Sequence, residues 1–135
     1  MKRIALTGGG TGGHIYPLIA VAEHLIGCEC RYFGPKNEFS EAIGKAGIGI
    51  SPIAGAKMRR YFSLMNAVDG VKFAWSIVQA LVKVGIFWPH AAFSKGGPGA
   101  LPVLLACRLY GVPIIVHESD SVPGLVSRGT GKWAR

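Results

Sequence analysis

Acidic side chains are scarce in these 135 residues: seven Asp and Glu stand against fifteen Lys and Arg, for a formal charge of +8. So basic a chain suits an anionic partner, whether phosphate, nucleic acid or a membrane surface. Nucleic acid drops out, because no nucleic-acid motif is present and the aromatic residues do not alternate with basic ones along the expected strands. Cysteine is equally sparse. Cys28, Cys30 and Cys107 are too few and too poorly spaced for a zinc site or a disulfide framework, and they fit a reducing cytosol. Export is not expected either, since the apolar run behind Met1-Lys2-Arg3 stops at glycines after four residues. What remains is a single domain, half hydrophobic, long enough to bury a core.

Glycine is abundant, and its placement is informative. The run Gly8-Gly9-Gly10-Thr11-Gly12-Gly13-His14 follows the apolar segment Ile4-Ala5-Leu6. A buried strand feeding such a loop lets backbone N–H groups close on an oxygen-rich ligand. The spacing of Leu18, Val21, Ala22 and Leu25 then predicts a helix with Pro17 as its first residue, its N-terminus aimed at the ligand. Gly8, Gly10 and Gly13 satisfy the dinucleotide pattern G-x-G-x-x-G, but the second apolar run, Cys30 to Phe33, ends in Gly34-Pro35-Lys36 with no acidic residue for a ribose. The P-loop pattern fails at His14, which stands where a lysine is required.

Apolar runs and turn residues predict strands at 3–7, 29–33, 48–53, 91–94 and 113–117, and helices at 17–26, 38–46, 63–84, 102–110 and from Val122 onward. This alternation is that of a doubly wound parallel α/β sheet, in which ligands sit beyond the carboxyl ends of the strands. Three loops fall there. The second, Ser94-Lys95-Gly96-Gly97-Pro98-Gly99, leads into a helix with an early Pro102, so two glycine loops at two helix starts suit a diphosphate or two anions. The competing reading is a tight strand–helix turn with Lys95 solvated. The third loop, His117-Glu118-Ser119-Asp120, offers two carboxylates: a clamp for a sugar diol, or merely a helix cap at Asp120 or Ser121 before Val122-Pro123. Glu118 and Asp120 alone do not make a metal site. His117, closing an apolar strand, reads as a core or orienting histidine.

The segments Thr7 to Pro17, Phe93 to Gly97 and Val116 to Leu125 resemble, in order and nearly end to end, the signature blocks of the family 28 glycosyltransferases that build peptidoglycan. The resemblance implies a Rossmann-like N-terminal half of a GT-B fold. It also implies inverting transfer of N-acetylglucosamine from UDP-N-acetylglucosamine to the undecaprenyl-linked muramyl pentapeptide, lipid I, to give lipid II, with no cofactor. By the same likeness Thr11, Gly12 and Gly13 contact the donor, His14 and Glu118 sit at the reacting centre, and Asp120 is a further donor contact. Gly10, His14, Ser94, Lys95, Gly96 and Gly97 are the acceptor and diphosphate candidates. Ser119-Asp120 replaces the family's frequent Gln-Asn, and Pro98 replaces its usual aromatic.

Lys57-Met58-Arg59-Arg60-Tyr61-Phe62 combines cations with interface-seeking aromatics and is the expected contact with the anionic cytoplasmic face of the plasma membrane, as a peripheral protein. In the helix that follows, Asp69, Lys72, Ser76, Gln79 and Lys83 form a polar stripe read as solvated, and these charges interrupt the apolar length a bilayer crossing needs. The likeness further implies that residues 1–135 are most of an acceptor-side, membrane-side domain, truncated and without a C-terminal donor domain, because Arg135 falls inside an expected helix. A non-catalytic membrane-recruiting half of a split transferase, or a relative acting on another lipid-linked sugar, is the alternative.

Overall fold

The computed structural model describes residues 1–8, 12–36, 38–53, 64–96, 98–117 and 131–134. Five parallel strands form one sheet: β1 (Lys2–Thr7), β2 (Cys28–Gly34), β3 (Gly49–Pro52), β4 (Ala91–Ser94) and β5 (Ile114–Val116), in the order β3-β2-β1-β4-β5. Crossovers are made by α1 (Gly12–His24), α2 (Ser40–Lys45), α3 (Leu64–Phe87) and α4 (Leu101–Leu109). Chain direction across the sheet reverses outward from β1, which pairs with β2 on one side and β4 on the other. A doubly wound sheet opens its ligand crevice at such a switch point.

The carboxyl halves of β1 and β2, Ala5-Leu6-Thr7 and Tyr32-Phe33-Gly34, are buried on both faces of the sheet, while the charged residues of these strands lie toward their amino ends. Neighbouring strand residues point to opposite faces. Ala5 and Phe33 join one core with Ala80, Val84 and Phe87 of α3 and Val103, Leu104 and Cys107 of α4. Leu6 and Tyr32 join the other, with Ile15 and Leu18 of α1 and Ile43 of α2. Burial pushes the Cys107 thiol up to about 12, so Cys107 behaves as a small core hydrophobe. All three cysteines are free.

The helix boundaries depart from expectation in instructive ways. Pro17 does not begin α1; the helix starts at Gly12, and Pro17 lies inside it. Burial of Ile15, which has no solvent exposure, outweighs the poor helix propensity of two glycines and the loss of the hydrogen bond that a Pro17 N–H would donate. At its other end α4 closes in a Schellman motif. Gly111, at φ +72°, donates to Arg108 O at 3.2 Å, and Val112 N–H reaches back to Cys107 O at 2.9 Å, a geometry that favours glycine. The expected helix from Val122 onward falls largely on undescribed residues; a short 3₁₀ turn, Gly131–Trp133, is described, and Ala134 bridges to Ile114.

The largest departure is in α3. Its expected solvated stripe is turned inward at Ser76, which is fully buried and donates to Phe73 O at 2.6 Å. Lys83 is half-buried, and its ammonium reaches Pro52 O. Facing out instead are Val71, Trp75, Val78, Val82 and Ile86, 48–79% exposed. The segment Gly70–Phe87, with Lys72 and Lys83 inside it, is by length and composition apolar enough to cross a bilayer, at mean hydropathy 1.4, as helices of a protein core also are. The helix is held along one face by the core, through Ala80, Val84 and Phe87.

Two glycines predict effects of opposite sign. A Cβ at Gly34 would lie 2.5 Å from the Tyr32 hydroxyl oxygen and 2.8 Å from its Cζ, and Tyr32 is only 1% exposed. Gly34→Ala should therefore destabilise by about 1–3 kcal/mol. Gly44, inside α2 with nothing within 4 Å of a new Cβ, should gain about 0.5–1 kcal/mol on Gly44→Ala. Urea unfolding of the two variants checks both signs.

Candidate functional site

The carboxyl ends of β1, β2, β4 and β5 converge, and their register fixes what meets there. Thr7 pairs with Ser94 at the ends of β1 and β4. The strands are tied further by Lys95 N–H donating to Thr7 O at 3.0 Å. Thr7, fully buried, uses its hydroxyl to donate to Phe33 O at 2.8 Å, binding β1 to β2 just as the glycine loop begins. Across the same junction the Tyr32 hydroxyl donates to Gly8 O at 3.4 Å. Gly99 completes the approach, because a Cβ there would meet Pro35 Cδ at 3.2 Å and Gly8 O at 3.6 Å. The first two glycine loops thus start from one junction.

Beyond that junction α1 begins at Gly12, so the first-turn amides of Gly12, Gly13 and His14 have no partner within the helix. They supply donors and a positive dipole end at the switch point. The second loop is shaped by Ser94, also fully buried, whose hydroxyl oxygen accepts the Gly96 N–H at 3.0 Å. Gly96 follows at φ +80°, which turns the chain away from the strand at little cost only for glycine.

Lys95 is not solvated. It is 2% exposed, and its Nζ lies 2.7 Å from Nδ1 of His117. His117 itself is not a core residue but exposed; its backbone N–H donates to Ser94 O at 2.8 Å, and its ring stacks 6.2 Å from that of Phe93. Of the expected site residues, Ser94, Lys95 and Gly96 therefore share one junction, with the first turn of α1 opening beside it in the fold. Gly10, Thr11, Gly97, Glu118 and Asp120 lie outside the described residues, as do Lys57, Arg59, Arg60, Tyr61 and Phe62. Among the described residues no group of three His, Cys, Asp or Glu side chains could hold a metal ion. Sequence reasoning missed the roles of Thr7, Tyr32 and Gly99, which make the junction; only the glycine carried a signal, as a turn residue.

Ser94→Ala should leave the buried Gly96 N–H without its acceptor, costing about 1–3 kcal/mol. Amide hydrogen exchange should show Gly96 losing protection ahead of the β4 amides, and a global loss with Gly96 unchanged would contradict this role.

Residues 4–135 match the glycosyltransferase family 28 N-terminal domain. Among curated relatives, the UDP-N-acetylglucosamine--N-acetylmuramyl-(pentapeptide) pyrophosphoryl-undecaprenol N-acetylglucosamine transferase of Streptococcus gordonii is 42% identical over 99% of this chain and 39% of its own length. The enzyme of the same name from Clostridium tetani is 42% identical over 94% of this chain and 36% of its own length. The crystal structure of Acinetobacter baumannii MurG superposes with a TM-score of 0.81 at 26% identity, covering 99% of this chain and 39% of that one. The chain thus spans about two-fifths of the length of the relatives it matches. With the Rossmann-like sheet, the glycine loops at its switch point and these matches in hand, the chain belongs to glycosyltransferase family 28, of which it carries the N-terminal domain.

Proposed function

We propose that this domain is the acceptor-side half of an inverting transferase that moves N-acetylglucosamine from UDP-N-acetylglucosamine to lipid I, forming lipid II in peptidoglycan synthesis. The observation that carries the reading is the junction at the switch point, where β1 and β4 end side by side at Thr7 and Ser94, next to the buried Lys95, and each strand leads into a glycine-rich segment of the sequence. Its chemistry suits a diphosphate, the group that links the muramyl sugar to its lipid. The first-turn amides of α1 take phosphoryl oxygens, and the missing Cβ atoms let the backbone approach. The named activity of the Streptococcus and Clostridium relatives supports the same substrates.

In an inverting transfer a base takes the proton of the acceptor hydroxyl as its oxygen attacks the anomeric carbon. The bond from that carbon to the diphosphate breaks, and UDP departs with the electron pair. His14, in the first turn of α1, is assigned the base role or the holding of the acceptor. The donor nucleotide is assigned to the remaining length of the relatives, with Thr11 to Gly13 and Asp120 touching it from this side. Glu118 is assigned to the reacting centre.

Membrane attachment is assigned to two features. The basic and aromatic segment Lys57 to Phe62 precedes α3 directly in sequence. The outward stripe Val71, Trp75, Val78, Val82 and Ile86 then continues an apolar surface along α3 itself, at spacings of three and four residues. Together they have the makings of an interfacial helix, apolar on its outer face and reinforced by cations at one end. The location is the cytoplasmic leaflet, where lipid I carries its sugar, and the protein is peripheral there.

In an enzyme of the relatives' full length carrying this domain, His14→Ala should lower turnover by about 10²-fold or more if His14 is the base. Transfer of radiolabelled N-acetylglucosamine to a soluble lipid I analogue checks this, and wild-type turnover would remove His14 from the chemistry. Separately, replacing Trp75, Val78 and Val82 with Ser should weaken binding to anionic vesicles by about tenfold or more. Undiminished co-sedimentation would take α3 out of the membrane contact.

A further inference from the structure

Lys95 is buried, at 2% exposure, and among the residues whose side chains are described it is the only Lys, Arg, Asp or Glu that is so. Its ammonium lies 2.7 Å from Nδ1 of His117. An ammonium has three donors and no acceptor, so at this distance it donates and Nδ1 accepts. An imidazole nitrogen that accepts carries no proton, and the single proton of the neutral ring must then sit on Nε2. The ring is not free to exchange its edges. Its own backbone N–H is bound to Ser94 O at 2.8 Å, and its face stacks at 27° to the ring of Phe93.

We infer that Lys95 is a positioning residue that holds His117 as the neutral Nε2–H tautomer, so that His117 serves the site as a hydrogen-bond donor to a phosphoryl oxygen rather than as the base of the transfer. Nδ1 is occupied by Lys95, and a protonated Nε2 cannot accept a proton from an acceptor hydroxyl. The Nε2 of this exposed residue therefore presents a donor, beside a buried cation and at the strand ends from which the glycine-rich segments leave. For its ligand this assignment rests on the proposed diphosphate site; the state of the ring is a property of the chain alone.

The test uses this chain labelled with ¹⁵N-histidine and long-range ¹H–¹⁵N correlation spectra at neutral pH, which report the proton on each ring nitrogen. The sequence has four histidines, and two of them are built-in references. Nδ1 of His90 accepts the Arg3 N–H at 3.0 Å and should show the same pattern as His117. Nδ1 of His24 lies 2.8 Å from Ala20 O, which can only accept, so His24 should show the opposite pattern. Two signals remain, those of His14 and His117, and the one that disappears in His117→Asn is that of His117. The expected result is a bare Nδ1 and a protonated Nε2 at His117 in the unaltered chain, giving way to a mixture of tautomers in Lys95→Met while His24 and His90 stay as they were.

A proton on Nδ1 of His117 in the unaltered chain overturns the inference without recourse to any variant. So does a His117 pattern that Lys95→Met leaves unchanged. Inorganic pyrophosphate, added to the same sample, should move the His117 Nε2 resonance. The stated tautomer with no such response overturns the donor role, whereas the transferase reading stands or falls separately on the transfer assay.

Discussion

Parallel pairing of β1 with β4 at the centre of the sheet is the constraint on which the site depends. Ile4 to Thr7 lie beside Ala91 to Ser94, and the ladder continues past the last strand residue through Lys95 N–H and Thr7 O. Ala5 and Ala92 face one core while Leu6 and Phe93 face the other, so a slip of one residue would send Ala92 and Phe93 to the wrong cores. The register that packs the core therefore also places the two glycine loops. Thr7 and Tyr32 extend the same control to β2, through hydrogen bonds to Phe33 O and Gly8 O. A site built from backbone amides needs such support, because no side chain of its own can correct a displaced loop.

Side chains at the site follow from that frame. A lysine at 2% exposure is expensive unless its donors are satisfied. At least one donor is directed to His117, whose backbone is fixed by Ser94 of the neighbouring strand. Lys95 on β4's loop and His117 at the end of β5 are thus joined by a contact that neither strand could position alone.

Much of the fold was legible in the sequence because the strands are apolar runs ended by glycine, proline or polar loops, and each such loop marks a carboxyl edge. The order β3-β2-β1-β4-β5 was not, since pairing is decided by which faces fit and not by local propensity. Pro17 misled for a related reason: proline signals a first helical residue, but burial of Ile15 draws the helix back into the glycines. In α3 the composition is apolar on nearly every side, so periodicity could not choose the inner face. Ser76 could turn inward because Phe73 O, in its own helix, accepts its hydroxyl. Lys83 could lie half-buried because its long stem carries the ammonium to Pro52 O. For the site, the glycine patterns and Ser94 carried a signal, whereas the Lys95 to His117 contact, spanning 22 residues of sequence, carried none.

The proposed function and the geometry of the switch point meet in one testable proposal: that the carboxyl edge of this sheet, and not its amino edge, receives the diphosphate of a lipid-linked acceptor. Backbone amide shifts of the ¹⁵N-labelled chain, titrated with a short-chain lipid I analogue, test it directly. The account predicts concerted shifts at Gly8, Gly12, Gly13, Gly96 and His117, saturating with a single dissociation constant. Shifts confined to the opposite edge, around Lys2, Cys28 and His90, or none at the glycine loops, would contradict it.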